Sequence, residues 1–447
     1  MCPIGFSVTF FISIFVDMKH IGIDIGTSSI CGVVYDDSAS QVKSVTRAND
    51  SAIAGGPSWS FRQDAGRILE VTRQLLDELL AGDVASIGFC GQMHGMLYVD
   101  ADGRAVSPLY TWQDGSAAQP FRDGKSYAQW LSERTGYEIA TGYGLATHFY
   151  NMQTGNVPPD AVKLCTVMDY VAMNLCGKTQ PLCEPSNAAS LGFFDKRGLR
   201  FDTEALAAAG IGTDILPQVF PAGTHVGRYR GIPVFNPIGD NQAAFLGSVS
   251  DKASSVQVTI GTSSQISVYC DSYVEVPSLD TRPLPGGGYI LVGAALCGGC
   301  SLALLKDFYR QVIEDFTGCS ISDGELYDKM SAAAASQTDG ITVRTTFEGT
   351  RRDATLRGEI SGISLRNLTP DRLTTAFLKG ICQELKDFYD LLPESIRQGR
   401  TAITGSGNAL RKNPLLKKIL SDTFCLPVVM TSHQEEAALG AAIACKA

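Results

Sequence analysis

Apolar and polar residues alternate with a period of two at the start of the recognisable part of the chain. Ile21, Ile23 and Ile25 interleave with Gly22, Asp24 and Gly26, the pattern of a strand with one apolar face. The run passes through Gly26-Thr27-Ser28-Ser29 into a second apolar stretch, Ile30 to Tyr35, which predicts a β-hairpin. The pattern returns with Val256, Val258 and Ile260, then Gly261-Thr262-Ser263-Ser264 and the stretch to Tyr269. The pentapeptide Ile-Gly-Thr-Ser-Ser is identical at 25–29 and 260–264. Hairpin tips of this composition offer backbone amides and hydroxyls to an anion such as phosphate. One Gly-Thr-Ser-Ser alone is ordinary turn chemistry. Its duplication on a shared strand pattern predicts two lobes gripping a phosphate chain.

Between and after the hairpins, strand and helix patterns alternate. Ile68, Leu69, Leu75, Leu76 and Leu79 predict a helix over Asp64 to Leu80, and Ala85 to Cys90 a strand running into Gly91-Gln92-Met93-His94-Gly95. Residues Gly115 to Asn156 read as the least regular part, an insertion lining a cleft, and Cys183 to Ser190 as a polar turn. In the second half, helices are predicted over Cys300 to Asp315, Ser322 to Ala335, Asn413 to Phe424 and Glu435 to Cys445. Pro370 opens a long amphipathic helix to Leu392. Thr401 to Thr404 is a strand feeding Gly405-Ser406-Gly407-Asn408. The expectation is an α/β fold with a first lobe over residues 18–247 and a second over 248–447.

Length, 447 residues, allows two to four domains, and a net charge of −9 excludes a basic nucleic-acid groove. A bound polyphosphate must then be met by amides and a cation. Thirteen cysteines, without small-domain spacing, read as reduced thiols of a cytoplasmic protein. Cys297-Gly-Gly-Cys300 lacks partners for a zinc site and reads first as a glycine turn flanked by small buried thiols, with a redox role as the weaker alternative. Residues 2–16 are apolar but too short for a membrane span, and they lack a signal-peptide pattern. They are expected to be an upstream extension, residues 1–17, ahead of a start at Met18.

Candidate chemistry gathers at four places. Asp24 sits on the polar face of the first hairpin, where Thr259 stands in the second, and would support a cation. Asp240, in Gly239-Asp240-Asn241-Gln242 between the lobes, could take a proton from an attacking hydroxyl. Gln92, Met93, His94, Asp114 and Asn187 would supply contacts for a polyol, with Trp112 stacking on a sugar face. Gly405 to Asn408, at the end of a strand, would approach a nucleoside.

Together these motifs resemble the FGGY family of carbohydrate kinases from Met18 onward. The resemblance implies two actin/Hsp70-like (ribonuclease H-like) ATPase lobes with an interlobe cleft, ATP and Mg²⁺ as cofactors, and a small-molecule sugar as substrate. Asp240 would be the catalytic base; Gln92, Met93, His94, Trp112, Asp114, Asn187 and Asn241, with Asp240, would hold the sugar. Gly26, Thr27, Ser28, Ser29, Gly261, Thr262, Ser263, Gly299, Gly405, Ser406, Gly407 and Asn408 would line the ATP side, and Asp24 and Asp240 would attend the metal. Thr111 to Gly115, Thr141 to Gly144 and Asn187 to Ser190 are most similar to the family's sedoheptulokinases, with its xylulokinases next, implying transfer to a terminal hydroxyl of a ketose. Two departures stand out: Cys31 occupies the place of a usual Lys or Arg, and Lys379 that of a common acid. The alternatives are a catalytically weak family member and an actin- or chaperone-like nucleotide switch. A homodimer is one option; membrane and nucleic-acid partners are not expected.

Overall fold

The computed structural model describes residues 18–36, 40–80, 82–334, 337–350, 353 and 355–446. The 1–17 extension lies outside these residues, as does the end of the helix expected to reach Ala335. Both expected hairpins are present, Lys19–Ile25 with Ser29–Asp36 and Ser255–Ile260 with Ser264–Cys270. Each sits near the middle of its own sheet. The first sheet runs, strand by strand, His225–Tyr229, Ile232–Phe235, Val84–Gly91, Lys19–Ile25, Ser29–Asp36, Ser40–Ala48. The short strand Ile238–Gly239 also pairs with Val84–Gly91. The second runs Asp280–Pro283, Tyr289–Ala295, Ser264–Cys270, Ser255–Ile260, Ala402–Ser406, Val428–Met430.

The two sheets repeat one plan. In each, the leading hairpin strand has its antiparallel partner on one side and a parallel strand on the other. That parallel strand ends in a glycine-and-polar cluster, Gly91–Gly95 in one lobe and Gly405–Asn408 in the other. Parallel strands present their carboxyl ends together, so each hairpin tip lies beside such a cluster. Helix Ala65–Leu79 covers the first sheet through Ile68, Leu75, Leu76 and Leu79, buried with Ile21, Ile23 and Phe89. Asp64 caps it, accepting from the amides of Gly66 and Arg67 at 2.8 and 3.1 Å. Helix Pro370–Asp390 does the same work in the second lobe, with Leu378, Ile381 and Leu385 packed against Val256, Val258 and Ile403. Each fully buried aliphatic side chain contributes about 1.5–3 kcal/mol.

Two expectations are corrected. Residues 115–156 are not the irregular part of the lobe: they hold helices Tyr127–Thr135 and Gly144–Thr154. Ser126 and Gln129 form a capping box at the first, and Tyr127, Trp130 and Phe149 share an aromatic cluster. Nor is 183–190 a turn. It contains helix Pro185–Leu191, with Pro185 at the first helical position and Glu184 as its cap.

The final helix, Glu436–Ala444, lies on the first sheet and against the helix Asp240–Ser248. Glycines let backbone meet backbone here. A Cβ on Gly22 would stand 1.8 Å from the Ala438 carbonyl oxygen, and one on Gly440 1.7 Å from that of Ala243. Gly88 and Gly247 face Ala441 and Glu436 in the same way. These two helices are the packed joint between the lobes.

Buried acids make stability depend on pH. Burial pushes Asp169 up to about 7, although its Oδ2 accepts from the Thr166 hydroxyl at 2.8 Å. Burial also raises Glu184 to about 7. A carboxyl raised on folding gives a stability term that is complete below its unfolded pKa and lost as pH rises through its folded one. Thermal melts of the apo protein are therefore expected to fall in midpoint from about pH 4 to about pH 7. Asp169→Asn should flatten that fall by on the order of 3 kcal/mol; an unchanged slope would contradict the assignment.

Candidate active site

Strand register brings the two acids to one level. Asp24 is opposite Cys90 on one side of Val84–Gly91, and Ile238 is opposite Cys90 on the other. Gly239 then aligns with Gly91, and Asp240 opens its helix immediately beyond. The acids thus project from the carboxyl ends of strands two apart in the sheet, a backbone spacing of roughly 10 Å. Asp24 feels the charge of Asp240. Burial, then the charge of Asp240, raises Asp24 to about 7. Burial raises Asp240 to about 6, against the Asn241 amide and the Arg282 guanidinium, which favour its charge. Glu435, at the start of the final helix, adds further negative field on Asp24.

Asp240 is held from behind. The Ser186 hydroxyl accepts from the Gly239 amide at 2.9 Å, and Glu184 in turn accepts from the Ser186 amide at 2.7 Å. From the second lobe, strand Asp280–Pro283 reaches this site. Arg282 is buried there, its Nε donating to Asp280 at 2.8 Å, and Lys196 of the first lobe donates to the same carboxylate at 2.6 Å. Sequence reasoning missed Arg282, because nothing local sets it apart from a surface arginine on an edge strand.

The polyol cluster assembles around Asp240. Asn187 is fully buried and donates to the Pro237 carbonyl at 2.9 Å, while its Oδ1 has no partner. The Oδ1 of Asn241 and the Oε1 of Gln242 are likewise buried and unpartnered. Met93 packs against Gly239, where an added Cβ would meet its sulfur at 2.8 Å. His94 has a φ of 73°, a left-handed conformation that costs of order 1–3 kcal/mol. It is kept there by the Ser190 hydroxyl, which accepts from its amide at 3.1 Å, and by stacking on Tyr143 at 4.7 Å. Strain of this kind is a functional pointer.

Three expected sugar contacts have structural partners of their own. Asp114 is fully buried and accepts from the amides of Phe61 and Ser116 at 3.2 and 3.1 Å. Gln92 donates to Gln63 at 2.8 Å and accepts from the Thr27 hydroxyl at 3.4 Å. Trp112 is 48% exposed, and its indole N–H donates to Thr27 at 3.0 Å. Thr27 therefore ties the polyol cluster to the first hairpin tip.

The nucleotide-side residues of the second lobe lie together. Each tip closes on a backbone bond, Gly26 N to Ser29 O at 3.0 Å in the first and, one residue tighter, Gly261 N to Ser263 O at 2.9 Å in the second. The Thr259 and Ser406 hydroxyls bond at 2.7 Å across adjacent strands. Gly299 abuts Gly261 and Ala409 so closely that a Cβ would stand 2.6 Å from the Gly261 oxygen. A side chain at Gly261 itself would meet nothing within 4 Å. Thr262, Ser263 and Asn408 are exposed at this end of the second lobe, and Ser28 is exposed at the first tip. Arg411 bonds Glu436 at 2.7 Å, so the joint helix is tied to the same end of the second lobe.

Cys31 is buried against Ala438, Leu439 and Ala442 of the final helix, where burial raises its thiol to about 12. Among the described residues no cluster of three or more His, Cys, Asp or Glu could hold a metal alone. Hard oxygen donors from two carboxylates instead suit a cation that takes its remaining ligands from phosphate and water, as Mg²⁺ does. The twelve described cysteines are free thiols. No helix among the described residues is long and apolar enough to cross a membrane.

Paired α/β lobes with matching hairpin tips and a helical joint are the architecture of sugar kinases and their actin- and Hsp70-like ATPase kin. The chain belongs to the FGGY family of carbohydrate kinases: the family's N-terminal-domain profile matches residues 19–256 and its C-terminal-domain profile residues 256–447. It is 29% identical to sedoheptulokinase of Mus musculus over 95% of this chain and 96% of that one. The Homo sapiens sedoheptulokinase is also 29% identical, over 95% and 96%. In fold it is similar to the crystal structure of ligand-bound xylulose kinase from Lactobacillus acidophilus (TM-score 0.81, 20% identity, 96% of this chain and 89% of that one). Plasmodium falciparum glycerol kinase with ADP is similar at TM-score 0.77 and 18% identity, covering 96% and 89%. The protein is a phosphotransferase with an alcohol acceptor, and it phosphorylates a sugar at the expense of ATP.

Proposed function

We propose that the acceptor is a ketose of the sedoheptulose or xylulose type, phosphorylated on a terminal hydroxyl with Asp240 as general base. The observation that carries this is the set of buried, unpartnered amide oxygens of Asn187, Asn241 and Gln242 beside Asp240. Buried acceptors without donors are rare, and a polyol supplies hydroxyl donors in the number required. The similarity to sedoheptulokinases supports the ketose assignment.

Asp240 accepts the proton of the terminal hydroxyl as that oxygen turns onto the terminal phosphate. A base whose pKa lies near 6 is ionised at neutral pH yet still basic enough to assist. Asn187, Asn241, Met93 and His94 orient the sugar, and Arg282 and the Ser186–Glu184 pair hold the base. Asp114, Gln92 and Trp112 support the cluster, with polar edges turned to substrate on closure. Mg²⁺, held by Asp24 and Asp240 with phosphate oxygens, would neutralise charge on the transferred group. The tips Gly26–Ser29 and Gly261–Ser263 cradle phosphates through amides and hydroxyls, while Gly299 and Gly405–Asn408 line the nucleoside. In this reading residues 18–247 are the sugar-binding lobe, 248–447 the nucleotide-binding lobe, and the enzyme works in the cytoplasm.

One observation favours a second reading. With Cys31 buried in place of a cation, the surroundings of Asp24 are acidic, from Asp240 and Glu435. A slow enzyme that binds sugar without efficient transfer is consistent with that field. ADP release across ketoses and polyols of five to seven carbons separates the two. Release with a seven- or five-carbon ketose at tens-fold above other sugars is expected. Saturable sugar binding without release would establish the slow reading, and release with glycerol alone would contradict the ketose assignment.

A further inference from the structure

Cys297-Gly298-Gly299-Cys300 straddles the start of the long helix Gly299–Thr317, directly behind the second hairpin tip. Cys297 is buried and Cys300 half-buried, and the two thiols are close enough to interact. The strap between them is stitched to the tip. Gly298 N and Cys300 N both donate to Thr262 O, at 2.9 and 3.1 Å, and Gly299 N donates to Gly261 O at 2.8 Å. The Ser264 hydroxyl donates back to Cys297 O at 3.3 Å. A Cβ on Gly298 would stand 2.5 Å from the Ser263 carbonyl, so only glycine allows this approach.

We infer that Cys297 and Cys300 form a thiol–disulfide exchange site that takes a low-molecular-weight disulfide as its oxidant and loosens the nucleotide tip when oxidised. The Cys300 sulfur, the less buried of the two, attacks as thiolate one sulfur of the small disulfide and expels the other as a thiol. The Cys297 sulfur then attacks the mixed disulfide at Cys300 and releases the second small thiol. Two protein thiols and one small disulfide become one protein disulfide and two small thiols, with both cysteine protons carried away on the products. Burial raises the Cys297 thiol to about 11, which suits a resolving partner that reacts only once the mixed disulfide stands beside it. In a reducing compartment such a pair is reduced at rest and oxidised transiently.

Oxidation reaches the tip through geometry. A disulfide fixes its Cβ atoms about 3.8 Å apart, a restraint that falls on the short strap from Cys297 to Cys300. The three strap amides that anchor Gly261 and Thr262 move with it. The effect on nucleotide rests on the proposed ATP site; disulfide formation does not.

The test uses the full chain with oxidised glutathione as probe. Remaining thiols are alkylated, the protein is digested, and peptides are identified by mass spectrometry. ADP affinity is measured by calorimetry on the same samples. The expected result is a 297–300 disulfide, reversed by dithiothreitol, with ADP binding weakened about tenfold and no such response in C297S or C300S. Glutathione found only on the exposed Cys319 or Cys425, with 297 and 300 still reduced in wild type, would overturn the site. The disulfide formed with ADP affinity unchanged would overturn the coupling, and loss of ADP binding in the reduced protein would count against the nucleotide site instead.

Discussion

Asp240→Asn is expected to lower kcat by about a thousandfold while leaving sugar affinity within a few-fold of wild type. Asparagine keeps the shape of Asp240, so the Gly239–Ser186 bond at 2.9 Å and the contact with Met93 survive. What it removes is the group that accepts the proton and half of the paired acids raised to about 7 and about 6. The loss should fall on kcat and kcat/KM alike, the signature of an interaction made in the transition state. Steady-state ADP release and sugar calorimetry on one preparation check this. Turnover within tenfold of wild type would remove Asp240 from the chemistry, and lost sugar binding with normal kcat would make it only a ligand for the sugar.

Gly440→Ala is expected to destabilise the fold by about 3 kcal/mol or more. The new methyl would stand 1.7 Å from the Ala243 carbonyl oxygen, and neither backbone can retreat. On its other face the helix carrying Gly440 is pinned by Gly22 and Gly88 on the first sheet. Gly324→Ala is the control. It lies exposed in helix Asp323–Ala333 with nothing within 4 Å, so a gain of up to about 1 kcal/mol is expected. Denaturant unfolding of both variants measures the difference; equal stabilities would mean that the joint is not close-packed.

Much of this was legible in the chain. The two hairpins stood out because large apolar residues alternate with glycine and small polar ones along their leading strands, although both faces of those strands are buried, and because the sequence repeats itself at 25–29 and 260–264. The long helix after Thr369 was legible for the complementary reason: one face is buried and the other is polar. Helices Gly144–Thr154 and Pro185–Leu191 were not. Their residues are buried almost all round, so they carry no amphipathic stripe, and at two to three turns they are too short for propensity to add up. The Ser126–Gln129 capping box was the signal available for the 127–135 helix. The docking of the last helix on the first sheet spans nearly the whole chain, and only the glycines at 22, 88, 247 and 440 hint at it. Among site residues, motifs named the positions of Asp24, Asp240, Asn187 and His94, but not the partners that Asp114, Gln92 and Trp112 take. Side-chain pairing is a three-dimensional property that spacing does not encode. Arg282 belongs to the same class, since its place beside Asp240 depends on how one lobe meets the other.

A crystal structure of the protein with a non-hydrolysable ATP analogue, Mg²⁺ and a ketose examines the shared grip of the lobes most directly. The expected result has Gly26–Ser29 and Gly261–Ser263 on the same phosphate chain, and an Asp240 oxygen about 3 Å from a terminal sugar hydroxyl. Nucleotide bound by one tip alone, or a sugar whose nearest hydroxyl is out of reach of Asp240, would contradict it.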